Sequence, residues 1–278
     1  MTTDNHAAAA QDGGADQSPT PAGLYDYYLG GSNSTEAERA AGDGLRAKMP
    51  ELRDAAWANR GFLQRAARWL AEDVGVRQFI DLGAGLPTAQ NTHEVVQRVA
   101  PDAVVVYVDN DPRVRARAAA LLADTDNTTA ITADLRDPDA VLNHPDLRAA
   151  IDLGEPVGLL LVAVAHFVSD EEDPWGVVGR YMDVLAPGSY LALSHITADR
   201  QPQAAVDAIY DLYAHATSRI HLRSKEGVAR FFTGMELVPP YKGAEPSVTF
   251  VGEWGAEDRS AADSDGSRWS YCGVARRR

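Results

Sequence analysis

Short apolar runs of strand length alternate along the chain with segments in which apolar residues recur at helical spacing. This alternation predicts strands and helices that follow one another in turn. The run 157–164 lacks polar alternation, as expected of a central parallel strand that is covered on both faces. We therefore expect an α/β fold with a doubly wound, mostly parallel sheet and right-handed crossovers. The predicted strands span residues 78–82, 104–108, 130–133, 157–164, 190–194, 236–239 and 271–275.

The local composition divides the chain into three parts. Residues 1–22 are rich in small and polar residues and offer little to bury, so we expect a disordered tail. Residues 23–75 are expected to form an N-terminal helical extension, or lid, in which Thr35 is an N-cap and Glu38 completes a capping box. Residues 76–278 carry the alternation of strands and helices, and they form the predicted ligand-binding domain.

Charge and cysteine content exclude several classes of protein. Hydrophobic residues make up 45% of the 278 residues and charged residues 24%, which is ordinary for a globular protein. The formal net charge of −14 argues against a nucleic-acid partner, because phosphate backbones attract lysine and arginine. Cys272 is the single cysteine, so an intramolecular disulfide and a thiolate metal cluster are excluded.

No segment of the sequence predicts contact with a membrane. The longest apolar run, residues 159–165, is far shorter than the ~20 residues that a membrane-spanning helix needs. The N-terminus lacks a basic region followed by an apolar core, so we expect no signal peptide. The expected location is the cytoplasm.

The candidate chemistry begins where the first predicted strand runs into a glycine turn, Gly83-Ala84-Gly85. A glycine lets the backbone approach a ligand at a point where a Cβ atom would collide. Asp109 ends the second strand, where a carboxylate can accept hydrogen bonds from a ribose diol. Asp134 follows the third strand, where the amino group of an adenine could donate to it. These features predict a pocket for an adenosine-bearing ligand without a pyrophosphate site, which indicates S-adenosylmethionine.

A dinucleotide such as NAD is the main competing ligand. Its fingerprint G-x-G-x-x-G requires a third glycine where this chain has Thr88. That glycine brings phosphates close to a helix N-terminus, whereas S-adenosylmethionine has no phosphate and tolerates Leu86-Pro87. The alternative to any adenosyl ligand is that Gly83 and Gly85 only form a tight turn and that the acids are solvated strand ends.

Together, these residues resemble a class I, Rossmann-like S-adenosylmethionine-dependent methyltransferase. More narrowly, the chain after Gly23 resembles a largely uncharacterised actinobacterial family that is labelled S-adenosyl methyltransferase. The resemblance implies a seven-stranded sheet that ends in an antiparallel hairpin, with the cofactor over the carboxyl ends of the first strands. It rests on the sequence blocks Tyr25-Asp26-Tyr27-Tyr28-Leu29-Gly30-Gly31, Asn59-Arg60-Gly61-Phe62, Asp81-Leu82-Gly83-Ala84-Gly85-Leu86-Pro87-Thr88, Tyr107-Val108-Asp109-Asn110-Asp111-Pro112 and Leu185-Ala186-Pro187-Gly188-Ser189-Tyr190.

The resemblance also implies which residues contact the cofactor. Gly83 and Gly85 would flank its methionine portion, and Asp109 would hold the ribose hydroxyls. Asn110, Asp134 and Leu135 would lie beside the adenine. From its chemistry, Arg60 is a candidate partner for the methionine carboxylate, and an exposed helix arginine is the alternative. The complete set of expected cofactor-binding residues is Arg60, Asp81, Gly83, Ala84, Gly85, Asp109, Asn110, Asp134, Leu135 and Val164.

Catalytic residues are harder to predict, because methyl transfer mainly requires the reactants to be aligned and desolvated. A general base is needed only for a hydroxyl or a protonated amine. His166 and His195 follow the fourth and fifth strands at the ligand-binding edge, so each is either a catalytic or a structural histidine. Tyr25, together with Tyr27 and Tyr28, is a candidate for a lid over the sulfonium or for holding the acceptor, and ordinary packing is the alternative.

The acidic run Asp170-Glu171-Glu172-Asp173 does not predict a metal site. Acids that precede a helix beginning with Pro174 are explained by the helix dipole, and no second acidic set would close a site. We therefore expect no metal.

The sequence thus predicts a cytoplasmic methyltransferase that acts on an unidentified small molecule, by O- or N-methylation. Neither nucleic acid nor membrane is an expected partner. The alternative is a non-catalytic protein that senses S-adenosylmethionine or S-adenosylhomocysteine.

Overall fold

The computed structural model describes residues 18–278, with the exception of residues 89, 123, 124 and 126. The strands are β1 (Gln78–Leu82), β2 (Val104–Asp109), β3 (Thr128–Thr132), β4 (Val157–Val162), β5 (Tyr190–Ile196), β6 (Glu236–Leu237), β7 (Thr249–Phe250) and β8 (Ser270–Arg276). The helices are α1 (Pro21–Tyr28), α2 (Glu36–Arg46), α3 (Leu52–Trp69), α4 (Thr92–Val99), α5 (Pro112–Leu121), α6 (Pro138–Leu142), α7 (Pro145–Ala150), α8 (Pro174–Val184), α9 (Gln203–Ala214), α10 (Lys225–Ala229) and α11 (Arg259–Ala262).

The strands form one sheet in the order β3-β2-β1-β4-β5-β8-β6, and β7 also pairs with β8. The first five strands pair in parallel, whereas β8 runs antiparallel to its neighbours. Because β5 pairs with β8 along its whole length, β6 and β7 share the opposite edge of β8. The predicted doubly wound, mostly parallel sheet is confirmed. The predicted seven strands are all present, and β7 is an additional strand of two residues, too short for a periodicity to reveal.

Alternate residues of the central strands pack on opposite faces of the sheet. In β4, Leu159 and Leu161 belong to the apolar core shared with α6, α7 and α8. Leu160 belongs to the core on the other face, which is shared with α3 and α4. All three leucines are fully buried, which explains why this run shows no polar alternation.

Helices α1, α2 and α3 precede the sheet and pack with α9 in a third apolar core, which includes Leu24, Met49 and Ile209. The predicted capping box of α2 is confirmed: Thr35 Oγ1 accepts from the Glu38 amide at 3.2 Å, and Glu38 Oε2 accepts from the Thr35 amide at 2.7 Å. The capping box fixes the start of α2 and leaves the second Glu38 oxygen for contacts outside the helix.

The prediction that residues 1–22 form a disordered tail is wrong for the last residues of this range. Pro21 begins α1, and Thr20 caps this helix by accepting a hydrogen bond from the Gly23 amide at 3.1 Å. Threonine at the N-cap and proline at the first helical position both favour a helix here. The remainder of the expected tail, as far as residue 17, lies outside the described residues.

Helix α3 continues from Leu70 to Val74 as a wider turn and ends at Gly75, whose φ of 86° favours glycine. Among the described helices, none combines the length and the apolar composition that crossing a membrane requires.

Candidate active site

A cavity of about 480 Å³ lies at the carboxyl edge of the sheet, between the ends of β1, β2 and β4 and the helices α1, α3 and α9. Open α/β sheets bind ligands at this edge. The volume is in the range of small-molecule pockets. All the predicted site residues line this cavity except His195. The fold therefore brings together residues that are widely separated along the chain.

The two glycines of the turn after β1 have different reasons to be glycine. Both have a positive φ, 69° at Gly83 and 68° at Gly85, which side chains rarely adopt. A Cβ atom at Gly83 would lie 2.1 Å from Cγ2 of Val164, so packing excludes any side chain there. A Cβ atom at Gly85 would meet nothing within 4 Å, so this part of the turn leaves open space for a ligand.

The carboxylate of Asp109, at the end of β2, is held by backbone amides. Oδ2 accepts from Gly85 at 2.9 Å, and Oδ1 accepts from Asp111 at 2.9 Å. Burial raises the pKa of Asp109, and these amide hydrogen bonds oppose the rise. Each carboxylate oxygen still has acceptor capacity, which suits a pair of hydroxyl donors.

The carboxylate of Asp134, after β3, already has a cationic partner. Nε of Arg136 lies 3.0 Å from each Asp134 oxygen, and Nη2 lies 2.6 Å from Oδ2. Burial alone would raise the pKa of Asp134, but the hydrogen bonds and charge of Arg136 together lower it. Arg136 itself lines the cavity, and the sequence pattern did not identify it.

Arg60 is buried on α3, so the interpretation as an exposed helix arginine is wrong. Its Nη2 donates to the carbonyl of Gln90 at 3.2 Å and to Oδ1 of Asn91 at 3.4 Å. The nearby Asp81 accepts from Thr92 Oγ1 at 2.7 Å. Burial raises the pKa of Asp81 to about 6, against the effects of the Thr92 hydrogen bond and the Arg60 charge.

His166 occupies a short turn after β4 and lines the cavity with only 6% of its surface exposed. Within the described part of the chain, its buried Nδ1 has no hydrogen-bond partner. Burial lowers the pKa of His166 well below its usual value, and the charge of Arg223 lowers it further. The imidazole is therefore neutral near pH 7, with one nitrogen able to accept a hydrogen bond.

The structure does not bring His195, the second predicted catalytic candidate, to the cavity. It is fully buried and does not line the cavity. Its Nε2 lies 2.8 Å from Nη1 of Arg223, and its Nδ1 lies 2.7 Å from the carbonyl oxygen of Ile196. Because arginine can only donate, Nε2 accepts and Nδ1–H donates to Ile196. Burial lowers the pKa of His195 to about 3, so both nitrogens are committed to a neutral ring.

Arg223 is buried beneath the turn that carries His166, and no sequence motif pointed to it. Its Nη2 donates to the carbonyl of Val168 at 2.7 Å, and Nη1 donates to the carbonyl of Ala165 at 3.3 Å. The guanidinium thus fixes the backbone on both sides of His166. No local pattern could reveal this role, because Arg223 lies 58 residues from Ala165 along the chain.

The acidic run 170–173 has specific partners, so the helix dipole alone does not explain it. Oδ1 of Asp170 accepts from Nη2 of Arg223 at 2.6 Å, and Glu172 accepts from Arg136 at 2.9 Å. Asp173 caps α8 by accepting from the Gly176 amide at 3.1 Å. The described residues contain no group of three or more metal-ligating side chains in the arrangement of a metal site.

The tyrosines of α1 do not act together. Tyr25 lines the cavity, but its hydroxyl already donates to the carbonyl of Ala56 at 3.2 Å and accepts from Asn59 at 2.8 Å. Burial raises the pKa of Tyr25, so it stays protonated. Tyr28 also lines the cavity, whereas Tyr27 bonds to Asp43 away from it.

An ion pair between the buried Glu38 and the partly exposed Arg113 joins the N-terminal helices to the first turn of α5. Oε1 of Glu38 accepts from Nη2 of Arg113 at 3.1 Å and from Oγ1 of Thr20 at 2.8 Å. Arg113 also pairs with Asp111 at 2.9 Å. Thr20 and Asp111 both line the cavity, so this network closes one side of the site.

A family model and two solved structures point to the same family for this chain. A family model described as S-adenosyl methyltransferase matches residues 8–278. A methyltransferase candidate from Thermobifida fusca YX is 40% identical, with a TM-score of 0.86 over 94% of this chain and 96% of that chain. A DUF574 family protein from Streptomyces avermitilis MA-4680 is 39% identical, with a TM-score of 0.87 over 95% and 99% of the two chains. No curated protein matches.

A more distant solved structure shares only the fold. An O-methyltransferase family protein from Burkholderia thailandensis is 15% identical, with a TM-score of 0.51 over 81% of this chain and 60% of that chain. The mostly parallel sheet with flanking helices has the class I methyltransferase fold. The chain belongs to the S-adenosyl methyltransferase family, as its sequence predicted. It is an S-adenosylmethionine-dependent methyltransferase, and S-adenosylmethionine is its cofactor.

Proposed function

We propose that this enzyme transfers a methyl group to a small-molecule acceptor that binds in the same cavity as the cofactor. The observation that carries this proposal is the extent of the cavity. Beyond the glycine turn, its lining continues along α1, α3 and α9, where Tyr28 contributes, to the ends of β4 and β5, where His166 and Ile196 contribute. Membership of a methyltransferase family does not favour the alternative of a non-catalytic sensor.

The residues of the cofactor end have the chemistry that S-adenosylmethionine requires. The open space at Gly85 accommodates the methionine portion, and the remaining acceptor capacity of Asp109 serves the ribose diol. Arg60 is the proposed partner of the methionine carboxylate. When bound, the cofactor supplies a methyl group that its sulfonium has already activated. The other proposed contacts are Asp81, Gly83, Ala84 and Val164 around the turn, and Asn110, Asp134 and Leu135 around the adenine.

The proposed role of the remaining site residues is to place the acceptor and to exclude water. The hydroxyl of Tyr25 is fixed by Ala56 and Asn59, so this side chain forms a rigid wall and does not exchange protons. His166 is the proposed proton acceptor, because its ring lines the cavity and its Nδ1 has no hydrogen-bond partner among the described residues.

The test is to incubate the full chain with S-adenosylmethionine and a panel of small-molecule acceptors, and to measure S-adenosylhomocysteine by mass spectrometry. We expect acceptor-dependent product. His166→Ala should lower turnover by about 10²–10⁴-fold while cofactor affinity stays nearly constant. Tyr210→Phe, on the exposed face of α9, is the control. Cofactor binding without turnover, together with a bound structure in which the sulfur faces a closed wall, would reject the proposal.

A further inference from the structure

The part of the cavity beyond the cofactor end is lined mainly by apolar and aromatic side chains. We call this part the acceptor lobe, and it is lined by Tyr28, Met49, Leu52, Phe167, Ile209 and Tyr213. Five of these side chains are at most 8% exposed, and they belong to the apolar core between the N-terminal helices and α9. A molecule in the lobe therefore leaves water behind almost completely.

Formal charges in the cavity lining are confined to the other end. They are Asp81 and Arg60 at the glycine turn, and Asp109, Asp111, Asp134 and Arg136 at the ends of β2 and β3. These side chains also have protein partners. A charged group in the acceptor lobe would consequently lose its hydration without gaining a counter-charge, and such a transfer is unfavourable.

Two residues of the cavity lining carry a polar group that lacks a well-formed hydrogen bond within the described chain. One is the His166 ring, whose Nδ1 is enclosed without a partner. The other is the Tyr28 hydroxyl, which lies beside Tyr213 but makes no hydrogen bond of good geometry. Buried polar groups are nearly always paired in proteins, so two residues of one cavity lining that carry unpaired polar groups favour a ligand with a polar atom of its own.

We propose that the methyl acceptor is an uncharged, largely apolar molecule whose single hydroxyl group faces His166. This inference rests on the proposed function, because it assumes that the acceptor occupies this lobe. A neutral imidazole can accept the hydroxyl proton, whereas a protonated amine would need a carboxylate that the lobe does not offer.

The reaction balances without a further reactant. The hydroxyl oxygen forms the new bond to the methyl carbon as the carbon–sulfur bond breaks, and the electron pair of that bond returns to sulfur. The hydroxyl proton passes to a ring nitrogen of His166 and then to solvent. The products are a methyl ether and S-adenosylhomocysteine.

The test uses three probes that share one ring system and differ in charge: 2-naphthol, 2-naphthoate and 2-naphthylmethylamine. Their binding to the full chain is measured by calorimetry near neutral pH in the presence of saturating S-adenosylhomocysteine. We expect 2-naphthol to bind about tenfold or more tightly than either charged probe. His166→Ala should weaken the binding of 2-naphthol by roughly three- to tenfold and leave the affinity for S-adenosylhomocysteine unchanged.

A matched pair of variants on α9 tests the role of charge. Ile209→Glu places a carboxylate in the lobe and should reverse the preference toward the cationic amine, whereas Tyr210→Glu alters an exposed neighbour and should change nothing. If Ile209→Glu does not fold, the comparison of the three probes on the native chain still shows whether the lobe prefers an uncharged ligand. Tighter binding of a charged probe, or no binding of 2-naphthol to protein loaded with S-adenosylhomocysteine, would overturn this inference. Failure to bind S-adenosylhomocysteine would instead overturn the proposed function.

Discussion

The backbone amide of Gly85 donates a 2.9 Å hydrogen bond to Oδ2 of Asp109. This contact joins the glycine turn after β1 to the end of β2, across 24 residues of sequence. The same carboxylate is therefore both a support of the turn and the proposed acceptor for the ribose hydroxyls. Substitution of Asp109 should affect ligand binding through both roles.

Asp109→Ala should weaken the binding of S-adenosylhomocysteine by about 10- to 150-fold, because hydrogen bonds to a charged group contribute about 1.5–3 kcal/mol. Calorimetry on the folded variant measures this loss. Asp102→Ala is the control, since the Asp102 side chain is 76% exposed and lies 3.5 Å from Nε of Arg77 in a surface ion pair. If the two variants bind equally well, the ribose site has been assigned to the wrong carboxylate.

Asp81→Asn should stabilise the protein at alkaline pH. Burial raises the pKa of Asp81 from 3.8 to about 6, so the folded chain holds this proton more tightly than the unfolded chain does. The stabilisation from this proton is complete below pH 3.8 and is lost as the pH rises through about 6. Asparagine carries no charge, so the free energy of unfolding at pH 8 should rise by at most about 3 kcal/mol.

Urea unfolding at pH 8 and at pH 4 measures this difference. The gain should be confined to the higher pH, because the native carboxyl group is already protonated at the lower one. Asp152→Asn, at an exposed aspartate, is the control. A gain of equal size at both pH values would show that ionisation of Asp81 is not its cause.

Glu38→Gln should loosen α1. Burial opposes ionisation of Glu38, but hydrogen bonds from Thr35, Thr20 and Arg113 together lower its pKa below 4.5. The stabilisation is therefore present above pH 4.5 and is lost as the pH falls through the lowered value. Hydrogen exchange of α1, corrected for intrinsic rates, should accelerate in the native chain below this pH and in Glu38→Gln already at pH 7.

Glu36→Gln is the matched control for Glu38→Gln, because Glu36 is an exposed acid in the first turn of α2, as Glu38 is a buried one.

We also expect S-adenosylhomocysteine to slow hydrogen exchange over residues 23–31, since Tyr25 and Tyr28 line the cavity. If S-adenosylhomocysteine binds but exchange in this segment does not change, the two tyrosines only pack and do not close over the ligand.

Arg223→Lys should destabilise the fold by about 1–3 kcal/mol, because a lysine cannot serve His195, Val168 and Asp170 at once. Asp170→Asn should cost less than about 1 kcal/mol, since its side chain is 69% exposed and asparagine keeps an acceptor oxygen. Urea unfolding compares the two variants. If the two variants lose the same free energy of unfolding, Arg223 stabilises the fold mainly through its contact with Asp170.

The sequence alone predicted the sheet and the end of the cavity at which we propose that the cofactor binds. Strand periodicity and the glycine turn are local properties, and parallel strands necessarily end at one edge of a sheet. The positions of Gly85, Asp109 and Asp134 at successive strand ends were therefore enough to assign them to one cavity, which all three line.

The tertiary structure alone decided the other half of the site. His166 and His195 both follow strands at the same edge, yet only His166 lines the cavity, and Arg223 engages His195 from a distant segment. The acceptor lobe is likewise formed by α1, α3 and α9, which no sequence period relates to one another. Burial and hydrogen-bond partners depend on which distant segments pack together. Neither the position of His195 away from the cavity nor the contacts of Arg223 can therefore be read from a local pattern.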